Sequence, residues 1–139
     1  MRSYVVDAGV LFLYFIDDER VKPYFDEVAH GRAQGFICDV NLAEYYYKTC
    51  EKLGKNVADV RYHQIRGSDI GSVATDEELT RKAGEKKCKY RGKLSLADCF
   101  SLALSELKKA TLLTTDSELA KVKEAVSYTH LTLPTICSV

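Results

Sequence analysis

With 139 residues, 46% of them hydrophobic, the chain is long enough to bury a core and reads as one globular domain. Lys+Arg and Asp+Glu number 20 each, so the formal net charge is zero, a sum that hides local segregation: "RKAGEKKCKYRGK" (81–93) carries seven basic residues and one acid. The longest apolar run, "VLFLYFI" (10–16), is far too short to span a bilayer, and Cys38, Cys50, Cys88, Cys99 and Cys137 form no CxxC pair, which argues against a membrane span and against a disulfide or zinc framework.

In chain order, "SYVVDAGVL" opens as a short β-branched strand ending at Asp7, with a turn expected near Gly9. That immediate strand leaves no secretory signal, so a reducing cytoplasm with free thiols is the expected setting. "DDERVKPYFDEVAHG" predicts a helix with Val21, Tyr24, Phe25 and Val28 on one side and Gly31 at its end. "GFICDV" reads as a buried strand. "NLAEYYYKTCEKLG" predicts a helix capped by Asn41 or Asp39 and closed by Gly54. Successive helical residues point about 100° apart, so at least one of the three tyrosines in "EYYYK" must leave the core. A helix over "VADVRYHQIRG" and a weak strand at "DIGSVAT" follow. "DEELTRKAGEKKCKY" places acids first and bases last, as the helix dipole prefers.

"KLSLADCFSLALSE" (93–106) predicts a helix whose face carries Leu94, Ala97, Leu104 and Leu107, widened by Phe100 and Leu102. Asp98 borders that face. Ser95 and Asp98 have capping-box spacing, so Asp98 reads either as a cap or as a ligand. The strand "ATLLTT" and a short helix from Asp116 or Ser117 complete the pattern. Strands alternate with helices throughout, the signature of an α/β fold with a mainly parallel sheet covered on both faces.

The last stretch, "VSYTHLTLPTICSV" (126–139), contains no Asp, Glu, Lys or Arg. The codons GTC TCT TAT ACA CAT CTG ACG CTG CCG ACG, a transposase-type sequencing adapter read in frame, encode its first ten residues. The expectation is one domain over 1–125 and a non-native tail over 126–139 that replaces the native C-terminus. The competing reading is a native strand at "THLTL", which alternates as strands do.

In open parallel sheets, sites form outside the carboxyl ends of the strands. Asp7 ends the first strand and Asp116 ends "ATLLTT". Glu44 and Asp98 are each expected in the first turn of a helix. Each of the four also reads as a plain cap. Two carboxylates about 5 Å apart repel by roughly 3 kcal/mol at an effective dielectric near 20. Four at one edge must stand apart, hold protons or hold a cation, and all-oxygen donors select a hard ion such as Mg²⁺ or Mn²⁺. Neither His30 nor His63 is placed as a base, and no glycine-rich phosphate loop is present. An acid-only site beside a basic stretch points to metal-assisted phosphodiester hydrolysis.

"YVVDAGVL", "DVNLAEYYYK", "LSLADCFSLALS" and "TLLTTDSEL", in that order across nearly all of 1–124, resemble the PIN domains, and within them the VapC-like branch of small prokaryotic proteins. The resemblance implies a three-layer α/β/α fold and an Mg²⁺- or Mn²⁺-dependent endoribonuclease, with a role as the toxin of a toxin–antitoxin pair. It assigns Asp7, Glu44, Asp98 and Asp116 to the catalytic site, with Asp7, Asp98 and Asp116 on metal and Thr114 in support. The basic run 81–93 reads either as a solvated helix end and loop or as a grip on RNA phosphates, with Lys86, Lys87, Lys89, Arg91 and Lys93 as the candidate RNA contacts. RNA is the expected substrate, and an antitoxin and a second copy of the chain are the expected protein partners. The alternatives are a non-catalytic RNA-binding or protein-interaction module on the same fold and a phosphoacceptor receiver domain. The receiver is disfavoured because one Asp, not an adjacent pair, ends the first strand and no Lys directly follows "ATLLTT".

Overall fold

Five strands in the order β3-β2-β1-β4-β5, every neighbouring pair parallel, form the centre of the computed structural model, which describes residues 1–122 and the two-residue strand 131–132. The strands are β1 (Arg2–Val6), β2 (Ala33–Cys38), β3 (Ile70–Val73), β4 (Thr111–Thr114) and β5 (Leu131–Thr132). Between them run α1 (Ala8–Phe15), α2 (Lys22–Ala29), α3 (Asp39–Leu53), α4 (Lys55–Arg66), α5 (Glu77–Lys89), α6 (Leu96–Lys108) and α7 (Ser117–Ala120).

Alternation along the strands divides the core into two layers, because successive side chains leave opposite faces of a sheet. Tyr4 and Val6 of β1, Ile37 of β2 and Leu113 of β4 pack with Leu11, Leu42, Tyr45 and Ile65 from α1, α3 and α4. Val5, Cys38 and Leu112 face the other way, onto Leu79 and Ala83 of α5, Leu102 of α6 and Leu119 of α7. The result is the expected three-layer α/β/α architecture. Glu44's helix caps one side of the carboxyl edge and Asp98's helix the other.

The chain winds outward from β1 through β2 to β3, then returns to the opposite side of β1 as β4. β1 and β4 therefore flank the point where the winding direction reverses, and a crevice opens there beyond their carboxyl ends. Asp7 follows β1 and Asp116 lies two residues beyond β4.

Four local expectations are corrected. The turn near Gly9 is instead inside α1, which Asp7 caps. α1 buries Ala8, Val10, Leu11 and Leu13, so its apolar residues do not mark one helical face. Gly9 is there because a Cβ would lie 2.0 Å from Thr115 Oγ1. α3 starts at Asp39 with Cys38 as N-cap and no side-chain cap, which moves Glu44 into the second turn. Asn41 does not cap; it is buried and donates through Nδ2 to the Ala97 carbonyl at 3.1 Å, tying α3 to the first turn of α6. Gly54, at φ 92°, separates α3 from α4 as anticipated. Of the tyrosines in "EYYYK", Tyr45 is in the core and Tyr47 is half exposed.

Leu131–Thr132 pairs with Leu113–Thr114; the rest of 126–139 lies outside the described residues. Among the described residues no helix is long and apolar enough to cross a membrane.

Candidate active site

Asp7 is fixed from three directions. Its Oδ1 accepts the Val10 N–H at 2.9 Å, and its Oδ2 accepts the Thr114 hydroxyl at 2.6 Å. The Thr114 oxygen in turn accepts the Asp116 N–H at 2.9 Å. One threonine at the end of β4 thus links the carboxylate after β1 to the backbone of the residue that caps α7. Asp7 is only 5% exposed. Burial pushes its carboxyl up to about 6; hydrogen bonds from Thr114, Val10 and Thr115 oppose the rise, and the nearby charge of Glu44 adds to it.

Asp98 is held differently. Its N–H donates to Ser95 Oγ at 3.1 Å, and its Oδ2 accepts the Ser95 N–H at 3.2 Å, a reciprocal capping box at the start of α6. Asp98 is half-buried, and its carboxyl too is pushed up to about 6, first by burial and then by the adjacent Asp116, whose charge and hydrogen bond both favour the protonated form. Asp116 caps α7 through Oδ1, which accepts the N–H groups of Glu118 at 2.8 Å and Leu119 at 3.1 Å. Glu44 pairs with Lys48 one turn along α3, Oε2 to Nζ 3.3 Å. The capping roles read from the sequence are therefore real at Asp7, Asp98 and Asp116, and they coexist with a second arrangement.

That arrangement is one cleft of about 310 Å³. Asp7, Glu44, Asp98 and Asp116 all line it, with Gly9, Phe12, Lys48, Ser95 and Thr115 among the rest of its wall. The four acids share the cleft without closing on a common point: among the described residues no three Asp, Glu, His or Cys side chains stand together as a ligand group. Their charges couple in two pairs, Asp98 with Asp116 and, more weakly, Asp7 with Glu44. Four carboxylates in one cleft form an all-oxygen donor set that suits a hard divalent ion.

The basic candidates fall elsewhere. Lys86 is buried and ion-paired with Glu106 between α5 and α6, so it is a core contact and not a surface contact for RNA. Its place in "EKKCK" conceals this, because alternate faces of α5 carry the same residue type. Lys87 donates to the Leu94 carbonyl at 2.7 Å, and the Lys89 amino group lies 5.3 Å from the Tyr90 ring centre. Arg91 and Lys93 are exposed. None of these five lines the acidic cleft. The cation that does is Lys48, which the sequence reading missed although a Glu-to-Lys step of four residues on a helix marks it.

Comparison with solved structures finds close likeness of fold at low identity. The chain is similar to DNA-bound VapBC from Salmonella typhimurium (TM-score 0.73, 12% identity, covering 95% of this chain and 98% of that one). It is similar to VapBC2 from Rickettsia felis bound to a promoter DNA fragment (TM-score 0.74, 13% identity, 94% and 98%). It is also similar to the Mycobacterium tuberculosis sarcin-ricin loop cleaving toxin VapC20 (TM-score 0.67, 18% identity, 84% and 92%). No curated protein matches the sequence. The PIN domain matches residues 4–125, a span that holds all four acids, both core layers and the crevice between β1 and β4, and the chain belongs to that family.

Proposed function

We propose that this protein is an endoribonuclease that hydrolyses RNA phosphodiester bonds with Mg²⁺ or Mn²⁺ as its cofactor. The observation that carries the reading is the meeting of Asp7, Glu44, Asp98 and Asp116, spread over 110 residues of sequence, in one cleft where two of them sit near pKa 6. Asp7, Asp98 and Asp116 are the metal ligands in this reading. Bound there, a hard divalent ion supplies a water of lowered pKa and neutralises charge at the phosphate and leaving oxygen. Thr114 holds one oxygen of Asp7 and so sets its orientation. The capping box holds Asp98 at the mouth of α6, where the helix N-terminus favours the ionised, ligating form. Glu44 ligates metal or orients the attacking water. Cleavage leaves a 5′-phosphate and a 3′-hydroxyl.

The likeness to proteins of VapBC complexes supports a place in a toxin–antitoxin pair with a protein antitoxin as partner; a homodimer as the assembled form is part of the same proposal. The free thiols of Cys38, Cys50, Cys88 and Cys99 suit the reducing cytoplasm.

Incubating the purified protein with a mixed panel of structured and single-stranded RNAs tests the reading. Cleavage should require Mg²⁺ or Mn²⁺, stop with EDTA, and fall more than about 100-fold in Asp7→Asn, beyond the usual loss for a group that only supports a ligand. Metal-independent cleavage, or full activity in Asp7→Asn, would overturn it.

A further inference from the structure

The acidic cleft has to receive a polyanion, yet the basic run 81–93 does not border it. Lys48 does. It lines the cleft with the acids and is bound to Glu44 by a partly exposed ion pair, its own side chain 43% accessible. Pairs of this kind are weak, because water competes for both partners. Lys48 can therefore exchange Glu44 for a phosphate at little cost. One further turn along α3, the Lys52 amino group lies 5.2 Å from the centre of the Phe12 ring, and Phe12 is itself part of the cleft wall. Glu44, Lys48 and Lys52 recur every four residues, so they share one side of α3 and rise about 6 Å per step. The stripe starts among the acids and leads out of the cleft with two cations in line.

We infer that Lys48 and Lys52 form the track on which the RNA backbone enters the acidic cleft, Lys48 meeting the phosphate at or next to the scissile bond and Lys52 the phosphate beyond it. The inference rests on the ribonuclease reading for its choice of polyanion. Lys48 has a second consequence in the same geometry: by engaging phosphate it releases Glu44 for the reaction. A Lys52 contact is remote from the acids and contributes to binding alone.

The test separates binding from cleavage. Affinity for a fluorescent single-stranded RNA pool is measured in EDTA between 50 and 200 mM salt. The proteins are the parent, Lys48→Gln, Lys52→Gln, the double variant, and Arg32→Gln at the opposite edge of the sheet as control. Each phosphate contact on a single strand adds about 0.7 to the salt slope, so over that range the double variant should lose about sevenfold less affinity than the parent. Arg32→Gln should match the parent. In steady-state cleavage, Lys52→Gln should raise KM with kcat unchanged, whereas Lys48→Gln should also lower kcat and Lys48→Arg should restore most of it. Unchanged slope and KM in both lysine variants, with the parent cleaving RNA, would overturn the track and leave the ribonuclease reading standing; that stripe would then serve an acidic protein partner. A lysine-dependent slope in a parent that cleaves nothing would support the track and defeat the ribonuclease reading instead.

Discussion

Asp7 and Asp98 line one cleft, and burial is the main cause that raises each carboxyl to about 6, yet their surroundings differ. Asp7 is sealed in the sheet–helix junction, and the hydrogen bonds around it work against a large burial effect. Asp98 is half-buried: burial is again the main cause of its rise, the charge and hydrogen bond of Asp116 add to it, and the hydrogen bonds with Ser95 oppose it. Both are helix caps, but the Asp7 corner is built into the core and the Asp98 corner is half-buried beside a second carboxylate. Removing charge should therefore act on stability at the first corner and chiefly on ion binding at the second.

The largest effect expected is on pH dependence without metal. Burial raises the Asp7 carboxyl from its ordinary 3.8 to about 6 in the folded chain, so the folded state keeps the proton longer. Its contribution is fully present below about pH 4, declines as pH rises toward 6 and is gone above that. Two units correspond to about 3 kcal/mol. Chemical unfolding in EDTA from pH 4 to 7 should show stability falling, and Asp7→Asn should remove most of the fall. Asp98→Asn should remove less, since solvent screens a half-buried group. Equal flattening by both variants would erase the distinction between the corners.

Next come the supporting hydroxyls. Thr114→Val keeps the shape of the side chain but leaves a buried carboxylate oxygen without its donor, a loss of roughly 1.5–3 kcal/mol. Ser95→Ala removes an exposed cap, worth about 1 kcal/mol. Denaturation midpoints at pH 7 should rank Thr114→Val below Ser95→Ala, and the reverse order would contradict the assignment of the buried corner to Asp7.

Much of this was legible in the sequence because its causes are local. The box "SLAD" specifies its own hydrogen bonds, and both appear at the start of α6. The β-branched run before Asp7 and the strand before Asp116 set both acids at one sheet edge through parallel winding alone. What could not be read depends on distant partners. α1 hides in an apolar run because neighbours bury it around most of its circumference. Asn41 has the spacing of a cap, but its partner is the Ala97 carbonyl 56 residues away. Lys86 looks like its neighbours in "EKKCK" until Glu106 folds against it. Lys48 is an ordinary helical lysine until Asp7, Asp98 and Asp116 arrive at the same cleft.

The smallest effect is on Asp98→Asn without metal. The amide retains an acceptor for the Ser95 N–H, so capping costs within about 1 kcal/mol, and relief of repulsion from Asp116 opposes that loss. Thermal melts in EDTA should place the variant at or above the parent. A clear drop would mean that the charge of Asp98 stabilises the fold itself.

The central claim is that both corners serve one cation. Calorimetric titration of Mn²⁺ into the parent, Asp7→Asn and Asp98→Asn at pH 7 addresses it most directly. Binding to the parent should be saturable, and affinity should fall more than about tenfold in both variants, because each removes a charged oxygen ligand from the same site. Parent-like binding in either variant, or no binding to the parent, would contradict it.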